Sequence, residues 1–100
     1  MEARIDNYSC WIAGDDPAEI RKVIQEMLIA SGFGILNFMD HHFKPYGYTC
    51  IWLLAESHCA VHTFPEENKS YIELSSCNKQ MYDDFLERIK AYQSSLEPKA

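Results

Sequence analysis

The segment AESHCAVHTFPE, residues 55–66, gathers a serine, two imidazoles and two carboxylates into twelve residues. Ser57 is flanked by Glu56 and His58, His62 follows on the same strand-like run, and Pro65–Glu66 closes it. A strand with one buried face alternates apolar and polar residues and carries few ionisable groups, so this density points to chemistry. Ser57 as a hydrolase nucleophile requires a glycine-flanked elbow of the G-x-S-x-G kind, and its neighbours are not glycine. A metal held by His58 and His62 fails on distance. Four residues of strand separate them by roughly 13 Å, whereas zinc ligands sit about 2 Å from the ion. His41 and His42 point to opposite faces of an extended segment, and no metal is expected.

A third chemistry uses the Glu56–Ser57 peptide bond itself. A serine hydroxyl can attack the carbonyl that precedes it and turn the amide into an ester. Loss of the α proton then eliminates the ester, breaks the chain and leaves a dehydroalanine, which hydrolyses to a pyruvoyl group on the new amino terminus. The sequence of steps requires a strained serine, a hydrogen-bonding group for the tetrahedral intermediate, and a base such as histidine.

The elements that must position these groups follow from periodicity. Residues 3–13 read as a strand, with Ile5, Tyr8, Trp11 and Ile12 supplying bulk in imperfect alternation. Asp16 caps a helix, Pro17 fits its first turn and Glu19 completes a capping box. Ile20, Val23, Ile24, Met27 and Leu28 then form one apolar stripe, and Gly32 ends the helix. Strands are expected over 33–43, 48–55, 58–64 and 69–77, with turns at KPYG (44–47) and PEENK (65–69). The nearly continuous apolar run 48–55 belongs inside the sheet. Residues 79–93 form a second amphipathic helix, with Met81, Phe85, Ile89 and Tyr92 on one face, and the tail SSLEPKA frays. The fold class is α+β, a two-layer sandwich of mostly antiparallel sheet with two helices on one face, in β-α-β-β-β-α order. The sheet's other face is left for solvent, an interface or an active site.

One hundred residues, 47% hydrophobic and 24% charged, match one globular domain spanning 1–100. So small a domain buries only about two thirds of its unfolded surface, and a partner covering one face would help it. A formal charge of -6 with scattered basic residues argues against nucleic acid. The longest apolar run, residues 50–55, is far too short to span a bilayer, so no membrane is expected. Four cysteines without C-x-x-C spacing, and no signal-like opening, fit free thiols in a cytoplasmic protein.

ESHCAVHTFPE resembles the E-S-H-x-x-x-H-T-x-P-E signature of the short, bacterial and archaeal type of S-adenosylmethionine decarboxylase proenzyme. Upstream, SGFGILNFMDHHFKPYG is similar to that family's S-G-A-x-I and H-x-F-x-P-x-G, and SSC ending at Cys77 stands where the family has T-C-G. The resemblance is close over residues 31–77 and loose over the helices. It implies cleavage behind Glu56 and conversion of Ser57 to the covalent pyruvoyl group, which forms a Schiff base with the substrate amine. His62 is then the processing base, Thr49, in place of the family's Ser, supports the intermediate, and Cys77 is the proton donor in decarboxylation. Glu66 holds the substrate's ribose hydroxyls, while Phe43 and Phe64 flank its adenine or face its sulfonium. The implied assembly is a homodimer of cleaved protomers with residues from both near the active site.

The sequence also departs from the family. Phe64 stands where Trp is common, Asn78 follows Cys77 in place of Gly, and a strand that usually closes the fold after the second helix is missing. Pyruvoyl relatives that decarboxylate arginine or ornithine share the processing motif, and Glu67 or Glu73 could serve the tail of such a basic substrate. A non-processing regulatory partner is the remaining alternative, against which the intact Glu56, Ser57, His62 and Cys77 weigh.

Overall fold

The computed structural model describes residues 3–96. Its elements run β1 (Asp6–Ala13), α1 (Pro17–Ala30), β2 (Ile35–His42), β3 (Tyr48–Leu54), β4 (Ser57–Phe64), a short 3-10 turn (Pro65–Glu67), β5 (Lys69–Ser76) and α2 (Lys79–Leu96). Four strands lie between the helices, one more than the expected element order counts. The five strands form one sheet in the order β1-β5-β4-β3-β2, every neighbour antiparallel, with both helices against one face.

Alternation fixes which residues face the helices. Tyr48, Cys50, Trp52 and Leu54 of β3, Cys59 and Val61 of β4, and Ile72 and Leu74 of β5 are all buried there. They meet Ile20, Ile24 and Leu28 of α1 and Phe85 and Ile89 of α2. Full burial of each such side chain stabilises the fold by about 1.5–3 kcal/mol. Trp52, the largest of them, donates its indole N–H to Gln25 Oε1 at 3.0 Å, so its one polar atom is satisfied inside the core.

Several boundaries differ from the sequence expectation. β1 starts at Asp6, leaving Ile5 exposed, and sends Tyr8, Cys10 and Ile12 toward the helices while Trp11 lies on the opposite face. The Asp16 carboxylate caps α1 by accepting from Ala18 N at 3.3 Å, two residues in rather than at Glu19. Gly32, at φ +101°, turns the chain out of α1 as the helix end requires. α2 continues to Leu96, so Ser94 and Ser95 belong to the helix; the remainder of the expected frayed tail lies outside the described residues. Ser95 Oγ donates back to the Tyr92 carbonyl at 2.7 Å in the last turn of the helix.

No described element covers the sheet's second face. Met39, Ile51 and Leu53 are 64%, 38% and 51% exposed on it. Among the described residues, no helix is long and apolar enough to cross a membrane.

Candidate active site

Leu54 and Ser57 pair directly, so Ala55–Glu56 is a two-residue turn joining β3 to β4. Glu56 takes φ +63°, a left-handed conformation that glutamate rarely adopts. Such a conformation costs on the order of 1–3 kcal/mol and persists only where the surrounding structure enforces it. The peptide bond leaving this strained residue is Glu56–Ser57.

Two residues at the end of β5 hold that bond from either side. The register places Ser76 opposite Ser57, and the Ser57 hydroxyl donates to Ser76 Oγ at 3.1 Å. The next residue, Cys77, donates its thiol to the Glu56 carbonyl oxygen at 3.1 Å and lies 3.6 Å from the Glu56 carboxylate. Desolvation, then the hydrogen bond to that carboxylate and its charge, raise the thiol above the ordinary cysteine range. Cys77 is therefore a neutral, donating thiol at pH 7. It is also exposed, whereas Cys50 and Cys59 are buried; desolvation pushes the Cys50 thiol up to about 12 and Cys59 also upward, leaving both as unreactive packing groups.

The other expected residues collect at the far end of the same strands. Thr49 and His62 face each other across β3 and β4 on the open face, with Thr49 Oγ1 and His62 Nδ1 2.9 Å apart. A hollow of about 270 Å³ contains this pair together with Phe43, Phe64 and Glu66. Gly47, at φ +113°, permits the turn that presents Phe43, whose backbone N–H donates to the Gly47 carbonyl at 2.8 Å. The Tyr48 backbone N–H donates to Thr63 Oγ1 at 2.9 Å and locks the strand ends beneath the Thr49–His62 pair. Tyr71 stacks on His62 with ring centroids 6.4 Å apart, and Trp11 contacts both Phe64 (5.4 Å) and Tyr71 (5.2 Å). The Lys69 ammonium sits 4.3 Å from the Trp11 ring centroid.

Within one chain the two groups stay apart. Ser57 and His62 are five residues apart on one strand, about 16 Å along β4. The hydroxyl of Ser57 faces the helix side, whereas His62 lies on the open face. Glu56, Ser57 and Cys77 thus form one half and Phe43, Thr49, His62, Phe64 and Glu66 the other. A polar hollow of about 380 Å³ beside His58, Tyr71 and Glu73 belongs to neither half. Among the described residues, no group of three or more His, Cys, Asp and Glu is placed to hold a metal ion. Sequence reasoning passed over Ser76 and Trp11. Ser76 was visible only as the middle of SSC, and Trp11 read as strand bulk.

A family model described as S-adenosylmethionine decarboxylase matches residues 2–99. The S-adenosylmethionine decarboxylase proenzyme of Prochlorococcus marinus (strain MIT 9211) is 40% identical over 70 residues, covering 70% of this chain and 57% of that protein. The proenzyme of Methanococcus aeolicus is 27% identical over 84 residues, covering 84% of this chain and 70% of that protein. The crystal structure of the adenosylmethionine decarboxylase from Aquifex aeolicus VF5 superposes with a TM-score of 0.72 at 20% identity, over 96% of this chain and 82% of that one, and shares the fold. The chain spans only 49–62% of the length of each of four curated relatives that it matches. With a model matched across nearly the whole sequence and the motif residues disposed on a shared fold, the chain belongs to the S-adenosylmethionine decarboxylase family.

Proposed function

We propose that the chain is a self-processing, pyruvoyl-dependent decarboxylase that acts on S-adenosylmethionine in the cytoplasm and yields the aminopropyl donor for spermidine synthesis. The observation that carries this reading is the Cys77 thiol, 3.1 Å from the carbonyl oxygen of Glu56. A donor aimed at that atom stabilises the charge that develops when a hydroxyl attacks the carbonyl. Left-handed strain at Glu56 and the hydrogen-bonded hydroxyl of Ser57 supply two further requirements of the acyl shift. The residues therefore fit a pyruvoyl group made from Ser57. Once formed, that group supplies an electron-poor carbonyl that takes up the electrons released with carbon dioxide.

The base for processing comes from a second copy. With the His62 ring proton on Nδ1 and donated to Thr49 Oγ1, Nε2 is free to accept the α proton of Ser57. Two open sheet faces packed with their β4 strands antiparallel set this pair of one protomer beside the Glu56–Ser57 turn of the other. The same packing covers Met39, Ile51 and Leu53. The substrate then lies between the halves. Phe43 and Phe64 offer ring faces to its adenine or sulfonium, Glu66 accepts from its ribose hydroxyls, and Cys77 returns a proton to the former α carbon.

Intact mass under denaturing conditions tests the first claim. A fragment ending at Glu56 and a second with a blocked, borohydride-reducible residue 57 are expected; one uncut chain sinks self-processing. Carbon dioxide release from labelled S-adenosylmethionine, against arginine and ornithine, tests the substrate.

A further inference from the structure

The self-cleavage proposed above leaves open what aims the attacking hydroxyl. Ser76 is the last residue of β5 and only 1% exposed. Its Oγ accepts from the Ser57 hydroxyl at 3.1 Å and from the Asn78 backbone N–H at 3.0 Å. Its own proton is directed to the Asn78 carbonyl at 3.3 Å. A serine hydroxyl has one proton and two lone pairs, so these three bonds use its full capacity. With the Ser76 proton on the Asn78 carbonyl, which can only accept, Ser76 Oγ is left as the acceptor toward Ser57.

That polarity matters for an attack on the preceding carbonyl. A freely rotating Ser57 hydroxyl can hydrogen-bond to the Glu56 carbonyl oxygen, which presents a proton where a lone pair is required. Ser76 draws the Ser57 proton away from the carbonyl and leaves the Oγ lone pairs available to it. The adjacent residue meanwhile holds the carbonyl oxygen through the Cys77 thiol.

We infer that Ser76 is a positioning residue for self-cleavage, which orients the Ser57 hydroxyl for the acyl shift while Cys77 polarises the carbonyl it attacks. This rests on the self-processing reading. In the step, the bond from Ser57 Oγ to the Glu56 carbonyl carbon forms and the carbon–nitrogen bond of the amide breaks. The proton leaving Oγ ends on the Ser57 nitrogen, which becomes a free amine. Ser76 gains and loses no proton overall. Its hydroxyl fixes the starting geometry, and its register partner Ser57 is held in place by the β4–β5 pairing on one side and the turn on the other.

The test is a time course of full-chain cleavage, followed by intact mass, for wild type, Ser76→Ala, Ser76→Thr and Ser76→Cys, with thermal unfolding of each. Ser75→Ala, on the opposite face of the same strand, is the control and is expected to cleave at the wild-type rate. Loss of one orienting hydrogen bond slows Ser76→Ala by about tenfold. Threonine, which keeps the hydroxyl, restores the rate to within about threefold, and cysteine, a weak acceptor, does not. Hydroxylamine, which cleaves esters, releases no accumulated fragment from Ser76→Ala, because the block precedes the ester.

Equal rates for wild type and Ser76→Ala overturn the inference while leaving self-processing intact. Should the alanine variant not fold, wild-type cleavage by Ser76→Cys overturns it instead. A slow threonine variant with a melting temperature lowered like that of alanine assigns Ser76 to packing alone and also overturns it. So does a hydroxylamine burst from Ser76→Ala, which moves the hydroxyl's action past the acyl shift. An uncut wild type removes the self-processing reading and this inference together.

Discussion

The two ends of β4 are built on opposite plans. At the Ser57 end the side chains are small, the hydrogen bonds run between hydroxyls, a thiol and backbone, and Glu56 is strained. At the Phe64 end the groups are aromatic and partly exposed, around a hollow of about 270 Å³ and one Thr49–His62 hydrogen bond. The first end restrains a covalent bond of its own chain through close local contacts, while its Cys77 stays exposed. The second keeps its rings accessible around the hollow, as the proposed substrate site requires. The strand's length, and not any flexible linker, keeps them apart.

The sharpest way to break this comparison is to separate the ends genetically. Chains carrying Ser57→Ala and differently tagged chains carrying His62→Ala are each expected to remain uncut when expressed alone. Co-expressed, the His62→Ala chain is cut, because it keeps Ser57 and borrows His62 from its partner. Absence of any cut in the mixture would place both functions in one chain and discard the facing-sheet arrangement.

The next effect concerns the Ser57 end alone. Cys77→Ala removes the donor on the Glu56 carbonyl and is expected to slow cleavage by about 100-fold, at the low end for an oxyanion donor. Fragment appearance over time measures it, and a rate within threefold of wild type would deny the thiol that role. At the Phe64 end, Phe64→Ala is expected to raise KM for S-adenosylmethionine about tenfold and to leave the cleavage rate unchanged. An effect on cleavage instead of KM would blur the distinction between the two ends.

The smallest effect is a shift in titration. The raised Cys77 thiol stays protonated as pH rises through the usual cysteine range, and its donation is lost only when pH passes the higher folded value. Alkylation of Cys77 in uncut Ser57→Ala protein therefore lags behind a model thiol between about pH 8 and 9. Glu56→Gln removes the neighbouring charge and moves the alkylation curve to lower pH. Coincident curves for the two proteins would show that the carboxylate does not act on the thiol.

Much of the fold was legible because the pattern is locally consistent. Tyr48, Cys50, Trp52 and Leu54 alternate without a break, and Ile20, Ile24 and Leu28 mark one helix face. β1 was less legible, since Trp11 and Ile12 are adjacent bulky residues and only pairing with β5 decides that Ile12 faces inward. Glu56, Ser57, His58 and His62 stood out by type and density, whereas Thr49, Phe43, Phe64, Glu66 and Cys77 drew their roles only from the family resemblance. Their division into two ends could not, because spacing along a strand gives separation only once the strand is known to run straight from Ser57 to Phe64. Ser76 was hidden for a different reason. A small hydroxyl beside a cysteine looks like any strand-end serine until the β4–β5 register sets it opposite Ser57.

The strand order has a consequence for the cleavage proposed above. A cut behind Glu56 assigns β1, β2 and β3 to one polypeptide and β4 and β5 to the other, yet the sheet runs β1-β5-β4-β3-β2. The shorter-sheeted piece is wedged between β1 and β3 of its companion, so two full seams of hydrogen bonds join separate molecules. Before the cut, a denatured chain recovers by a unimolecular route, at a rate independent of dilution. After it, recovery is an encounter between two polypeptides and slows as they are diluted. The proposed cut would thus turn one refoldable chain into a pair of polypeptides whose assembly depends on having been made in one piece.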